Sequence, residues 1–453
     1  MQFTQTNPLM GKTLAIWFLL MAITLYLGVS AKALELSRLQ LEWVASASWL
    51  ILLLILANTL PRGIWSISFI FFASLGVFHV GLILTSSLGA ITDEDILYHI
   101  AYWFYRDETT LAIEMVNLAL LSFALGALLT SKAYLPTYKA RGGSFNQRVY
   151  HFGGVLLITS MLGFFALSTF TGVLSSYGAY LNLLSQVPLL GVVYAYLYFF
   201  IGLGLVMVSA TYRRGFTLFY FALFGLWALV AFRLGLRGEV MFPLMVSGAM
   251  FGRRNLTLGL PLILLLLVLF LTVTTIVKNA RVSGDYTDIP TVNPLNGVAE
   301  MGASLRPVQE VIKWRAQGDS MLYGGSYWAP FERQIALLVP GMQRVPAASD
   351  PRMLNVVVAD RAGPIGFSPV AEAYANFGKG GVVLIMMLLG AVMGKLDNVP
   401  PSTRKDIVIG AALLPVFIMI RNSFTHVPVQ VILGITISLL VIFLASTKGN
   451  AES

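Results

Sequence analysis

The chain contains no cysteine, so a disulfide framework, a thiolate nucleophile and a cysteine-ligated zinc or iron–sulfur centre are all excluded. Charge is also scarce. Only 11% of residues are Asp, Glu, Lys or Arg, against roughly 25% in an ordinary soluble domain. Four scattered histidines, His79, His99, His151 and His426, make no metal-ligand set, and no metal is expected. No phosphate-binding loop, dinucleotide fingerprint, zinc-protease helix or serine elbow occurs, which argues against nucleotide-driven chemistry. No repeat at a fixed period is present, which argues against two equal transporter halves.

What is there instead is apolar sequence. Hydrophobic residues make up 57% of the chain, and the mean hydropathy is +0.78. This composition describes an all-α polytopic membrane protein. A lipid span needs about 20 mostly apolar residues, and about twelve such stretches are readable, near 13–31, 43–60, 64–87, 111–131, 151–173, 189–212, 217–232, 239–251, 257–277, 380–396, 406–420 and 428–446. The first run, Leu14 to Val29, lacks a small-residue cleavage site and reads as a retained helix. The organisation expected is a transmembrane bundle over 1–277, a large polar segment over 278–379, and C-terminal transmembrane helices over 380–453.

Orientation follows from the basic residues of the short loops. One face collects Lys12, Arg62, Lys132, Lys139, Arg141, Arg148, Arg213, Arg214, Arg253, Arg254, Lys395, Arg404, Lys405 and Lys448 with hardly any acids, and is read as cytoplasmic. Both termini then lie inside and the 278–379 segment outside. The net charge of +9 belongs beside anionic lipid, not on nucleic acid. Within the polar segment, Arg306 to Ala316 has amphipathic helical spacing, Phe331 to Leu338 reads as a short interfacial helix, and Pro340 to Pro369 reads as ordered loop.

Four clusters are candidates for chemistry. Arg233, Arg237 and Glu239 interrupt two apolar spans at their ends, where ionisable groups are costly. Arg237 stands between Gly235 and Gly238, where backbone can approach a ligand. Arg421 ends an apolar run and opens RNSFTHVP. Its planar fork suits phosphate, and His426 can exchange a proton near neutrality. The stretch from Ala359 to Gly381 carries Asp360, Arg361, Glu372, Asn376 and Lys379; on a helix Glu372, Asn376 and Lys379 share a face, and Glu372 can serve as a general base. Its DRAG tetrapeptide matches a major-facilitator motif, but it stands late in the chain and without the basic residues that follow there, so it is read as coincidence. Finally, Asp93-Glu94-Asp95 opens a loop where acids serve either as metal ligands or base, or as helix caps. The alternative reading of Arg233, Arg237 and Arg421 is a snorkelling or interfacial anchor, and of Glu372 a charge complementing the helix N-terminus.

Three stretches, GLRGEVMFPLMV, GFSPVAEAYANFGKGGV and IMIRNSFTHVP, resemble the Wzy family of O-antigen or oligosaccharide repeat-unit polymerases, which includes enterobacterial common antigen polymerases. The resemblance runs from Thr217 to the end; the earlier part is similar in hydropathy alone. It implies an architecture of the GT-C membrane glycosyltransferase type, located in the bacterial inner membrane, with transfer at the periplasmic face and no cofactor. It implies undecaprenyl-diphosphate-linked oligosaccharide as donor and acceptor, and a chain-length regulator and a flippase as partners. A diphosphate leaving group needs preorganised cations. Arg237 and Arg421 would supply them, with Arg233, Arg361, Asn376 and Lys379 binding the same substrate. Glu372 is the expected base, with Glu239 and His426 as reserves.

Two rivals remain. An O-antigen ligase shares the donor, but its periplasmic loop generally supplies a catalytic histidine, and none lies between Lys278 and Lys379. A transporter or flippase would place polar residues deep inside spans, where Glu114, near one end of its helix, is an exception here.

Overall fold

The computed structural model describes residues 8–29, 35–91, 102–132, 144–175, 177–212, 215–254, 258–283, 294–343 and 345–447, and among them every regular element is helical. In chain order these are α1 (Pro8–Gly28), α2 (Arg38–Thr59), α3 (Ile67–Ser87), α4 (Asp107–Thr130), α5 (Ser144–Phe170), α6 (Tyr177–Gln186), α7 (Pro188–Thr211), α8 (Phe216–Arg233), α9 (Arg237–Arg253), α10 (Leu260–Ser283), α11 (Pro294–Met301), α12 (Leu305–Ala316), α13 (Gly325–Leu338), α14 (Leu354–Ala362), α15 (Pro369–Asp397), α16 (Thr403–Ile418) and α17 (Val427–Thr447), with short 3-10 turns between several of them.

A helix stands at each of the apolar stretches read from the sequence. Among the described residues, eight helices are long and apolar enough to cross a membrane. Thr217–Arg233 and Pro261–Val273 are shorter apolar helices, while α9 and α16 have 17 and 16 residues. In the polar segment, the expected helix over Arg306 to Ala316 forms as α12. The one expected over Phe331 to Leu338 starts six residues earlier, as α13. The stretch Pro340 to Pro369 differs from the expectation of loop throughout, because α14 forms inside it. Its run Val356-Val357-Val358 is β-branched and stiff, which hides a helix from propensity.

The described residues form two compact units whose chain segments alternate. The first comprises 1–136, 294–399 and 419–428. Its centre is α4, packed along α15. A Cβ on Gly126 would meet the Met387 carbonyl oxygen at 1.9 Å and one on Gly390 the Phe123 carbonyl oxygen at 2.1 Å, so both glycines are required for the backbones to touch. Thr130 Oγ1 adds a bond to the Ala391 carbonyl at 2.9 Å. At one end of α15, Asp397 is fully buried and accepts from the Ile67 and Ser68 backbone N–H groups (2.7 and 3.1 Å) and from Ser68 Oγ (2.7 Å). It thereby satisfies orphan donors of the α3 N-terminus.

The second unit comprises 137–293, 400–418 and 429–453. Phe164, Tyr194, Tyr198, Phe224 and Trp227 pack into an aromatic core with mostly edge and tilted contacts. Arg253 Nε and Asp406 Oδ1 pair at 2.8 Å with both side chains sealed from solvent.

Candidate functional site

The first unit brings its chemistry to the head of α15. Ser368 caps that helix, its Oγ accepting from the backbone N–H groups of Val370 and Ala371 (3.1 and 3.4 Å). His79 Nδ1 lies 2.8 Å from the Leu75 carbonyl, which only accepts, so Nδ1 carries the proton and Nε2 accepts from Ser368 Oγ at 2.6 Å. The histidine that sequence placed unremarkably in an apolar span therefore orients the cap. Upstream, the Phe367 N–H donates to the Arg421 carbonyl at 2.9 Å. Gly366, at φ +75°, passes so close that a Cβ would lie 2.7 Å from that same oxygen.

Glu372 sits one turn into α15 and is fully buried. Its carboxylate is held from two directions: Ser326 Oγ donates to Oε1 at 2.6 Å and the Phe424 backbone N–H donates to Oε2 at 2.7 Å. Asn376, four residues on, shares the face as expected, and its Nδ2 donates to Ser326 Oγ (2.7 Å) and to the Glu372 carbonyl (2.8 Å). The Gly324 N–H donates to Asn376 Oδ1 at 2.9 Å, which fixes which end of the amide is which. The chain of donors thus runs Asn376 to Ser326 to Glu372. Two of the carboxylate's roughly four lone-pair sites are occupied.

Beyond Asn376 the helix breaks. Gly378 adopts φ 64°, ψ −152°, a region essentially open to glycine alone. The break frees the carbonyls of Ala375 and Asn376, which accept instead from the backbone N–H groups of Leu322 and Tyr323 at 3.1 Å each. Lys379 follows the break, so helical spacing no longer aligns it with Glu372 and Asn376, which corrects the shared face read from sequence. It is half-buried.

A cleft of about 470 Å³ opens beside Glu372. One wall is α13, through Tyr327, Trp328 and Phe331; the other is the apolar flank of α15 at Ile385, Leu388, Leu389 and Val392; Met419 and Phe424 close the end. The Tyr327 hydroxyl is buried and has no hydrogen-bond partner among the described residues, while its ring packs edge-on against Phe424 at 5.5 Å. Burial, and then the nearby Glu372 charge, push the phenol well above its ordinary range. Tyr327 therefore stays a protonated donor facing a carboxylate-bearing cleft. Neither Ser326 nor Tyr327 was legible as a site residue, since about fifty positions separate them from Glu372 and no short motif links them.

Of the other candidates, Arg421 belongs to this unit. Its guanidinium lies 5.6 Å from the Phe78 ring centroid, and its carbonyl ties the segment to Phe367. His426 stands on the following 3-10 turn, half-buried. Arg361, at the C-terminal end of α14, forms an ion pair with Asp319 and packs over the Trp314 ring at 4.4 Å, away from the carboxylate knot. The remaining three candidates belong to the second unit. Arg237 is the first residue of α9 and buried, Arg233 is exposed at the end of α8, and Glu239 is half-buried in the first turn of α9. The glycines flanking Arg237 have structural reasons: Gly235 takes φ +77° in the turn, and a Cβ on Gly238 would press the Phe242 ring at 2.9 Å. Asp93, Glu94, Asp95 and His99 lie outside the described residues.

Comparison with known proteins adds to this geometry. The chain is 25% identical over 371 residues to Protein CapE of Staphylococcus aureus, with 81% of this chain and 80% of that protein covered. No solved structure matches it. Residues 13–449 match the model of the O-antigen polysaccharide polymerase Wzy family. With nearly every residue inside that match, and with the stretches that build the head of α15 among those that first carried the resemblance, the chain belongs to the O-antigen polysaccharide polymerase Wzy family.

Proposed function

We propose that this protein is a membrane glycosyltransferase that polymerises undecaprenyl-diphosphate-linked oligosaccharide repeat units at the outer, periplasmic face of the bacterial inner membrane. About twelve helices span the bilayer, with both termini cytoplasmic and the polar segment outside. The observation that carries the reading is the Glu372 carboxylate, buried yet bordering a cleft walled in part by the apolar flank of a helix long and apolar enough to cross a membrane. A base at such a place can serve a substrate that is part glycan and part lipid.

The acceptor sugar hydroxyl attacks the anomeric carbon of the donor glycan. The new glycosidic C–O bond forms as the bond from that carbon to the diphosphate oxygen breaks, and undecaprenyl diphosphate leaves with the electron pair. Glu372 takes the hydroxyl proton. Ser326 and the Phe424 N–H hold the carboxylate in one orientation, as a base needs to be held. Tyr327 donates to a substrate oxygen in the cleft. Arg421 neutralises the charge growing on the diphosphate, and the resemblance gives Arg237 the same role, with Arg233 and Lys379 as further substrate-binding cations; Asn376, buried with both amide protons committed, acts by holding Ser326 and so the carboxylate. Glu239 and His426 are the reserve bases. A chain-length regulator and a flippase are the expected partners.

The test is direct. Purified protein given its lipid-linked repeat unit alone should yield a ladder on a gel. Arg237→Ala and Arg421→Ala should abolish it, and Glu372→Gln should reduce it by two to four orders of magnitude, roughly the contribution of general base catalysis. Absence of a ladder, with lipid-linked sugar moved across liposomes instead, would replace the polymerase with a flippase. Transfer of the whole glycan to a lipid A core would replace it with a ligase.

A further inference from the structure

A second cavity, of about 340 Å³, lies against the same turn of α15 that carries Glu372. It touches Ala375 and Leu322, whereas the cleft touches Glu372 and Gly324, so the clasp at Leu322–Gly324 stands between the two. Its walls are of two kinds. Val311, Leu322, Pro351, Leu354 and Val357 are apolar; Arg315, Asp319, Ser320 and Arg361 gather at one rim. Arg361 donates to Asp319 Oδ2 and Arg315 to the Asp319 backbone carbonyl. Each guanidinium has five donors in a rigid fork, so most of their hydrogen-bonding capacity is uncommitted among the described residues. The Arg361 guanidinium carbon lies over the Trp314 ring, 4.4 Å from its centroid.

That combination suits one chemical class. A sugar ring has apolar C–H faces and a periphery of hydroxyls, and a cavity with aliphatic walls and fixed forked donors beside a carboxylate meets both. The volume falls in the range of small-molecule sites, roughly 300–1,000 Å³. We infer that this cavity is a saccharide subsite, holding a sugar unit of the glycan chain while the reacting unit lies in the Glu372 cleft. The inference rests on the polymerase reading for the identity of the glycan. With two arginines and one aspartate at the rim, the subsite carries a net positive charge and favours a sugar bearing a carboxylate.

The experiment uses full-length protein in nanodiscs and, as probe, the lipid-free oligosaccharide released by mild acid from the source cells' lipid-linked pool. Binding is read by saturation-transfer NMR, and the ladder assay is run in parallel. Val357→Trp fills the cavity without removing an ion pair, and Arg361→Ala removes a fork; both should weaken oligosaccharide binding at least tenfold, with melting temperatures checking the fold. Wild type that does not bind, or filled-cavity protein that binds like wild type, overturns the subsite. The two readings fail separately: binding lost in the variants without any ladder from wild type leaves the subsite and sinks the polymerase, whereas a ladder with binding untouched by Val357→Trp does the reverse.

Discussion

Ser326 Oγ stands 2.6 Å from Glu372 Oε1 and, by accepting from Asn376, has its proton directed at that oxygen. One hydroxyl thereby links α13 to the head of α15. Ser326→Ala leaves Glu372 and Asn376 each short of a buried partner, a cost of about 1–3 kcal/mol per group. The variant should melt earlier and elongate more slowly. A melting temperature equal to wild type would contradict the geometry.

Tyr327→Phe separates function from fold. Its hydroxyl has no partner among the described residues, so removing it should leave the melting temperature unchanged or slightly raised. The rate of ladder formation should fall tenfold or more. Were the rate to hold at the wild-type value, Tyr327 would be packing against Phe424 and nothing else.

Gly378→Ala tests the helix break. An alanine at φ 64°, ψ −152° is strained by about 1–3 kcal/mol. Relieving that strain by straightening the helix would withdraw the Ala375 and Asn376 carbonyls from Leu322 and Tyr323. Hydrogen exchange over 317–326 should quicken in this variant, while the Asp397 end of α15 stays protected.

The ion cluster of the polar segment sets an acid limit. Hydrogen bonds from Arg352 hold Glu332 below the usual carboxylate range, and at Asp350 they outweigh burial, which alone would raise it. Both carboxyls are depressed in the folded state, so their stabilisation is complete above the unfolded value of about 4 and is lost as pH falls through the lower folded values. The melting temperature should drop on acidification below about pH 4, and Arg352→Met should flatten that dependence.

Much of the fold was legible because hydropathy reports burial in lipid directly: each apolar stretch read from sequence is a helix. Half of the carboxylate knot was legible too, since Glu372 and Asn376 are one helical turn apart and spacing alone aligns them. The rest was not. Ser326 and Phe424 reach Glu372 across gaps of 46 and 52 residues, and nothing in a local window marks such pairs. Lys379 was misaligned because a single glycine reset the helical phase. His79 looked inert because its partner, Ser368, is 289 positions away. Nothing in the local sequence around Asp397 marks it as the anchor of the start of α3.

The clasp over the broken turn is made of main-chain atoms at both ends, the N–H groups of Leu322 and Tyr323 and the carbonyls of Ala375 and Asn376. Any side chain at 322 or 323 compatible with the backbone keeps those bonds. The Leu322 side chain meanwhile lines the second cavity. Substitution at Leu322 can therefore reshape that cavity without loosening the clasp or disturbing the carboxylate behind it, so the shape of the proposed subsite and the hold on the base can vary independently.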